Sequence, residues 1–223
     1  PDVFLLDKGM WSCKTCTPAV NVAADGMDHA VSGNPYFDSV AVKVVDDHTI
    51  QETDKKNGKV VSTSTNTVAG DGKTMTFEFS DSSDSNSAPV KGKGTEVRVG
   101  AMAPKGAHAI SGSWRVTGVS GYSDNGITVS YKTEGDSLNM TSPTGQKFDA
   151  KLDGSDAPMI GDPGVTSVSV KKLATNEIAE TDKRDGKVIS IAKMTVAPDG
   201  QSLTITIDDK LHGTTMSFVA MKQ

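Results

Sequence analysis

Ile50-Gln51-Glu52-Thr53-Asp54-Lys55-Lys56-Asn57-Gly58-Lys59-Val60 is answered later in the chain by Ile178-Ala179-Glu180-Thr181-Asp182-Lys183-Arg184-Asp185-Gly186-Lys187-Val188. Each stretch runs into an Asn-Gly or Asp-Gly dipeptide, which supplies the positive φ that a tight hairpin turn needs. The likeness extends on both sides, from Ser39-Val40 and Ser167-Val168 to Asp71-Gly72 and Asp199-Gly200, at a constant step of 128. Nearly half of the positions between residues 38 and 79 recur in the second stretch. A tandem duplication therefore organises the chain. It also bears on function, because a unique catalytic site has no need to be written twice.

Further Asp-Gly turns at Asp25-Gly26 and Asp153-Gly154 punctuate short alternating segments. Ile127, Val129 and Tyr131 share one face of a strand, as do Phe148, Ala150 and Leu152, and Leu203, Ile205 and Ile207. Period-2 alternation between closely spaced turns predicts antiparallel strands joined by hairpins. No 3.6 period is visible. Eight or nine strands per repeat close most easily into a small meander barrel, since closure removes exposed edges. The expected fold is all-β, with two homologous antiparallel meander β-barrel domains in tandem, residues 1–105 and 110–223. The polar run from Asp81 to Ala88 reads as a long flexible hairpin loop.

The chain has 223 residues, 35% hydrophobic and only 5% aromatic, so each core must be small and aliphatic. A net charge of −5 with scattered Lys and Arg argues against nucleic acid as a partner. No apolar run is long enough to span a membrane as a helix. The chain opens at Pro1 with no initiator Met, which implies removal of an upstream segment. The Gly-, Ser-, Thr- and Asp-rich composition points to a periplasmic or secreted location.

Ser111-Gly112-Ser113-Trp114-Arg115 is read as the opening strand of the second repeat. Pro1 aligns near Ile127, so the first repeat is expected to lack this strand. The open edge that results would allow self-association by strand exchange. Gly112-Ser113-Trp114 resembles the Gly-x-Trp signature on the first strand of lipocalin-type barrels. That resemblance implies a Trp plugging the barrel floor with a basic residue packed across it, for which Arg98 and Lys222 are the candidates. The chain as a whole is similar to uncharacterised bacterial secreted or periplasmic tandem-repeat proteins with lipocalin-like domains.

Cys13 and Cys16 are the only cysteines. Redox chemistry would want such a pair at a helix N-terminus, and Pro18 followed by the strand-like Ala19–Val22 argues against one. Zinc would need two more ligands, and His29 and His48 lie at spacings unlike a zinc module. A short structural disulfide is the simplest reading. Glu52 with Asp54, and Glu180 with Asp182, share a strand face, as acid–base pairs do. Their closeness to hairpin turns makes them read as a solvated charged edge instead. Asp25-Gly26-x-Asp28 and Asp153-Gly154-x-Asp156 lack the closing Glu of a calcium loop and read as turns. The four histidines join no nucleophile motif, and no phosphate or dinucleotide fingerprint is present.

No catalytic residue, metal site or cofactor is therefore assigned. The leading expectation is an extracytoplasmic binding protein for a small apolar or amphipathic molecule, with Trp114, Tyr131, Met140, Phe148 and Met194 as candidate cavity residues. The alternatives are an enzyme with a lipocalin-like cavity (isomerase, cyclase or hydrolase) and a structural protein completed by strand exchange.

Overall fold

The computed structural model describes all residues except 85–87. The fold is all-β, and the chain divides into two compact units, Pro1–Ile127 and Thr128–Gln223. The first holds β1 (Asp2–Asp7), β2 (Met10–Cys13), β3 (Val20–Ala23), β4 (His29–Ala30), β5 (Ser39–Val44), β6 (Thr49–Lys56), β7 (Lys59–Val68), β8 (Thr74–Asp81), β9 (Val90–Arg98) and β10 (Gly112–Ser120). These make one antiparallel, nearly closed barrel-like sheet of order β3-β2-β1-β10-β9-β8-β7-β6-β5-β4.

The second unit holds β11 (Ser130–Glu134), β12 (Ser137–Thr141), β13 (Lys147–Lys151), β14 (Asp153–Pro158), β15 (Ser167–Ala174), β16 (Glu177–Arg184), β17 (Lys187–Val196), β18 (Ser202–Asp209) and β19 (Thr214–Met221). They form two sheets, β11-β12-β13 and β14-β15-β16-β17-β18-β19. The expected long hairpin loop joins β8 to β9, and its residues 85–87 lie outside the described residues.

Gly112–Ser120 does not open the second repeat. It is the last strand of the first unit, inserted between β1 and β9, with Asp2 opposite Trp114 and Trp114 opposite Arg98. The division of the chain accordingly falls at Ile127, beyond the boundary expected near residues 105–110. The unit without such a strand is the second, not the first. The reason is topological: in a closing meander the first and last strands are neighbours, so a repeat pattern alone does not say which copy owns a strand between them.

Local chemistry follows the expected hairpin rules. Asn57-Gly58 and Asp185-Gly186 both have positive φ at each position (52° and 75°; 51° and 79°), the geometry of a two-residue type I′ hairpin. Opposite the Asp54–Lys55 and Asp182–Lys183 steps, Val61 on β7 and Ile189 on β17 are extra residues, so both repeats carry a bulge at the same place. Val40 and Val42 are buried in the first unit and Val168 and Val170 in the second.

The core of the first unit is completed by Ile110 and Trp114, both fully buried with Ile50, Val68 and Met75 in one cluster. The indole Nε1–H donates to the Ile110 carbonyl at 2.7 Å. Arg98 lies over the Trp114 ring at 4.1 Å, as the Gly-x-Trp resemblance implied. Its guanidinium also donates to the carbonyls of Gly72, Ser111 and Ala109, which ties β10 and the segment before it to the rest of the sheet.

Candidate cavity and buried carboxylates

The second unit contains an open cavity of about 300 Å³. Its apolar wall is built by Leu138 on β12, Ile178 on β16, Met194 on β17 and Leu203 on β18, and Tyr131 on β11 completes it. These positions face inward because each strand alternates. Lys172, Asn176 and Glu177 give the rim polar groups of both charges. An apolar wall with a polar rim suits one end of an amphipathic molecule.

Of the five residues expected to line a cavity, Tyr131 and Met194 do so. Met140 and Phe148 stand opposite each other on β12 and β13 and are buried in the neighbouring core. Trp114 belongs to the first unit and is wholly enclosed there. Burial beside Glu180 and Asp182 pushes the Tyr131 phenol far above its ordinary pKa, so the hydroxyl stays neutral.

Cys13 and Cys16 form a disulfide. It sits on the wall of a cavity of about 220 Å³ in the first unit, which Glu52 also lines together with Ser64 and Asn66.

The Glu-Thr-Asp-Lys motifs are not solvated edges. Glu52 stands opposite Val42 and Asp54 opposite Val40, while Glu180 stands opposite Val170 and Asp182 opposite Val168. Directly opposed residues share one side of a sheet, and all four valines are buried. The carboxyls therefore share the side of the sheet that carries the buried valines, with Glu180 buried and Glu52, Asp54 and Asp182 half-buried, while the Thr between each pair takes the other side. Glu180 is only 7% exposed.

Desolvation pushes Glu52 up to about 7 and Asp54 up to about 8, the latter with added repulsion from Glu52 and Asp81. Glu180 rises to about 8 by burial and by the charge of Asp182, and Asp182 is itself raised by burial. Asp182 accepts a hydrogen bond from Ser190 Oγ at 2.6 Å. Asp54 Oδ1, Glu180 Oε2 and Asp182 Oδ1 have no hydrogen-bond partner among the described residues. Glu96 in the first unit is also buried and pushed up to about 7 by burial and by Asp2.

Such pairs hold protons near neutrality and can donate or accept them. The sequence carried their signal: Ile50, Glu52 and Asp54 form one period-2 face, as do Ile178, Glu180 and Asp182, so an apolar residue had already marked the inward side.

The histidines lie elsewhere. His29, on the short β4, pairs with Asp25 at 2.8 Å, and His212, in the turn after β18, pairs with Asp209 at 2.6 Å, both partly exposed. Among the described residues no group of three or more His, Cys, Asp or Glu could hold a metal ion. Comparison with protein-family models, curated proteins and solved structures finds no match to this chain.

Proposed function

We propose that this is a binding protein that takes a small apolar or amphipathic ligand into the cavity of its second unit. The observation that carries the reading is that cavity: about 300 Å³, apolar inside and charged at the rim, in a unit whose core is otherwise packed. That volume stands at the low end of ligand pockets, roughly 300–1,000 Å³, and suits a single ring or short chain. The disulfide supports an oxidising compartment, periplasmic or secreted. No helix of the described residues is long and apolar enough to cross a membrane.

A lipophilic dye displacement screen with the full chain, followed by native mass spectrometry, tests this. Dye should bind once per chain, and Leu203→Trp should abolish binding by filling the cavity. A chain that binds no dye at any concentration short of dye aggregation refutes the reading.

A second reading is favoured by one observation. Tyr131 lines the cavity, and after burial the nearby charges of Glu180 and Asp182 raise its pKa, which puts the carboxyl pair close to the phenol. Acid–base chemistry on a cavity-bound substrate, as in an isomerase, cyclase or hydrolase, would use that pair. Glu180→Gln would then keep ligand binding and lose turnover of the bound compound.

A further inference from the structure

Removing β10 from the first unit's sheet order leaves β3-β2-β1 on one side and β9 through β4 on the other. That is the arrangement of the second unit, β11-β12-β13 and β14 through β19. The pairing registers make the correspondence exact at the cavity. Leu6 stands opposite Trp11 and Thr133 opposite Leu138, while Phe4 stands opposite Cys13 and Tyr131 opposite Met140. Arg98 receives its counterpart in Lys222: the backbone N–H of each donates to the matching carbonyl, Lys73 or Gln201.

The cavity therefore occupies the place that Ile110 and Trp114 fill in the first unit. Ile50, Val68 and Met75, all 2% exposed or less, cluster with those two side chains. Their counterparts Ile178, Val196 and Leu203 line the cavity, and Val196 is 40% exposed. The segment before β10 crosses the first unit through Ala109 N–H to the Asp47 carbonyl and His108 Nε2 at the Asp46 carbonyl. Ala174 and Thr175, the corresponding positions, stand at the cavity.

The strand edges agree. Among the described residues β11 and β19 have no partner on the sides where β1 and β9 hold β10. β19 exposes Met216, Phe218, Val219 and Met221, each 47% or more. A long apolar edge of this kind is a template for an added strand.

We propose that the second unit is completed by an added strand of the same kind as β10. The occupant is an extended segment from another repeat of this type, with an aliphatic residue and a Trp four positions apart and Ser-Gly-Ser between them. It pairs with β19 on one side and β11 on the other, and its two apolar side chains enter the cavity. Lys222 lies where a cation would cover the indole. This names the ligand class of the cavity, and so rests on the reading that the cavity receives an apolar group. A second folded copy of the chain is a poor donor, because its own β10 is fastened by the Arg98 hydrogen bonds and the buried Trp114.

The test is a synthetic peptide of residues 108–120 titrated into the full chain, with hydrogen exchange and displacement of the cavity dye as readouts. One peptide should bind per chain, release the dye, and slow exchange in 130–134 and 214–221. Peptide variants Ile110→Ala and Trp114→Ala should each weaken binding, the Trp change by more than about thirtyfold. Leu203→Trp in the protein should abolish the peptide-induced slowing of exchange in 130–134 and 214–221 while its exchange elsewhere stays native. Dye that binds but is neither displaced nor accompanied by slowed exchange at millimolar peptide overturns the strand proposal and leaves the cavity reading standing. If neither dye nor peptide binds, both fall. Slowed exchange confined to β1 and β9, or a peptide-free dimer protected along β19, also overturns the strand proposal.

Discussion

The two repeats share turns, bulges and an interior carboxylate pair, yet they differ in how their sheets end. In the first, β10 joins β1 to β9 and buries Ile110 and Trp114. In the second, the matching strands share no partner among the described residues, and a cavity of about 300 Å³ stands where those side chains would lie. The change is compounded by smaller residues: Thr133 and Leu138 take the places of Leu6 and Trp11. One inserted strand thus separates a filled core from a receptive one, with the same hairpin framework around both.

The largest expected effect comes from making the first unit resemble the second. Trp114→Ala should destabilise the first unit by about 3–5 kcal/mol, the usual cost of truncating an enclosed aromatic, and lower its urea midpoint. The second unit's midpoint should not move, since Trp114 packs within the core cluster of the first unit. If the first unit keeps its stability, Trp114 is not the plug that distinguishes the repeats.

Arg98→Ala should cost less, about 2–3 kcal/mol, by withdrawing donors from three carbonyls and the cation from the indole. Arg98→Lys should recover only part of this, because an ammonium cannot span the same fork. An equal loss for both variants would show that the planar hydrogen bonds, not the charge, fasten β10.

The carboxylate pairs, which the repeats share, predict a common pH response. Their folded-state pKa values, about 7 for Glu52 and about 8 for Asp54 and Glu180, lie above the unfolded values near 4. The folded chain therefore holds protons that the unfolded chain has released across this interval. The stability they contribute is fully present below about pH 4 and is lost as pH rises through 7 and 8. Melting temperature should fall from pH 5 to pH 8 in both units. Glu180→Gln with Asp182→Asn should flatten the curve of the second unit alone. A melting temperature that rises over that interval would contradict the inward placement of these groups.

Breaking the Cys13–Cys16 disulfide by double substitution to Ser should cost the first unit roughly 2 kcal/mol or less, since it closes a very short loop. The smallest effect concerns Lys55 with Asp28 and Lys183 with Asp156, ion pairs at the same place in each repeat. The Asp partner is exposed in both, so Lys55→Ala and Lys183→Ala should each change stability by under about 1 kcal/mol.

Much of this was visible in the residues. Alternation in Val40-x-Val42 and Leu203-x-Ile205-x-Ile207, with Asn57-Gly58 and Asp185-Gly186 between strands, specifies antiparallel hairpins through local sterics and period-2 burial. The disulfide followed from two cysteines three apart and no helix to activate them. The interior carboxylates were legible too, through Ile50-x-Glu52-x-Asp54, but nearness to a turn pointed the other way. The valines across the strands outweigh the turn, because register decides which side a residue faces.

What the sequence by itself determined is the all-β class and the hairpin chemistry, which are properties of neighbouring residues, and the twofold repetition, which comparison of one stretch with another reveals. Only the tertiary structure decided that Gly112–Ser120 belongs to the first unit and that Ile110 and Trp114 fill its core. It alone also revealed a cavity at the matching place in the second. The pairing of β10 with β1 joins residues more than a hundred positions apart, as Asp2 and Trp114 show. No local periodicity records such a contact, because a sheet that nearly closes on itself makes its first and last strands neighbours.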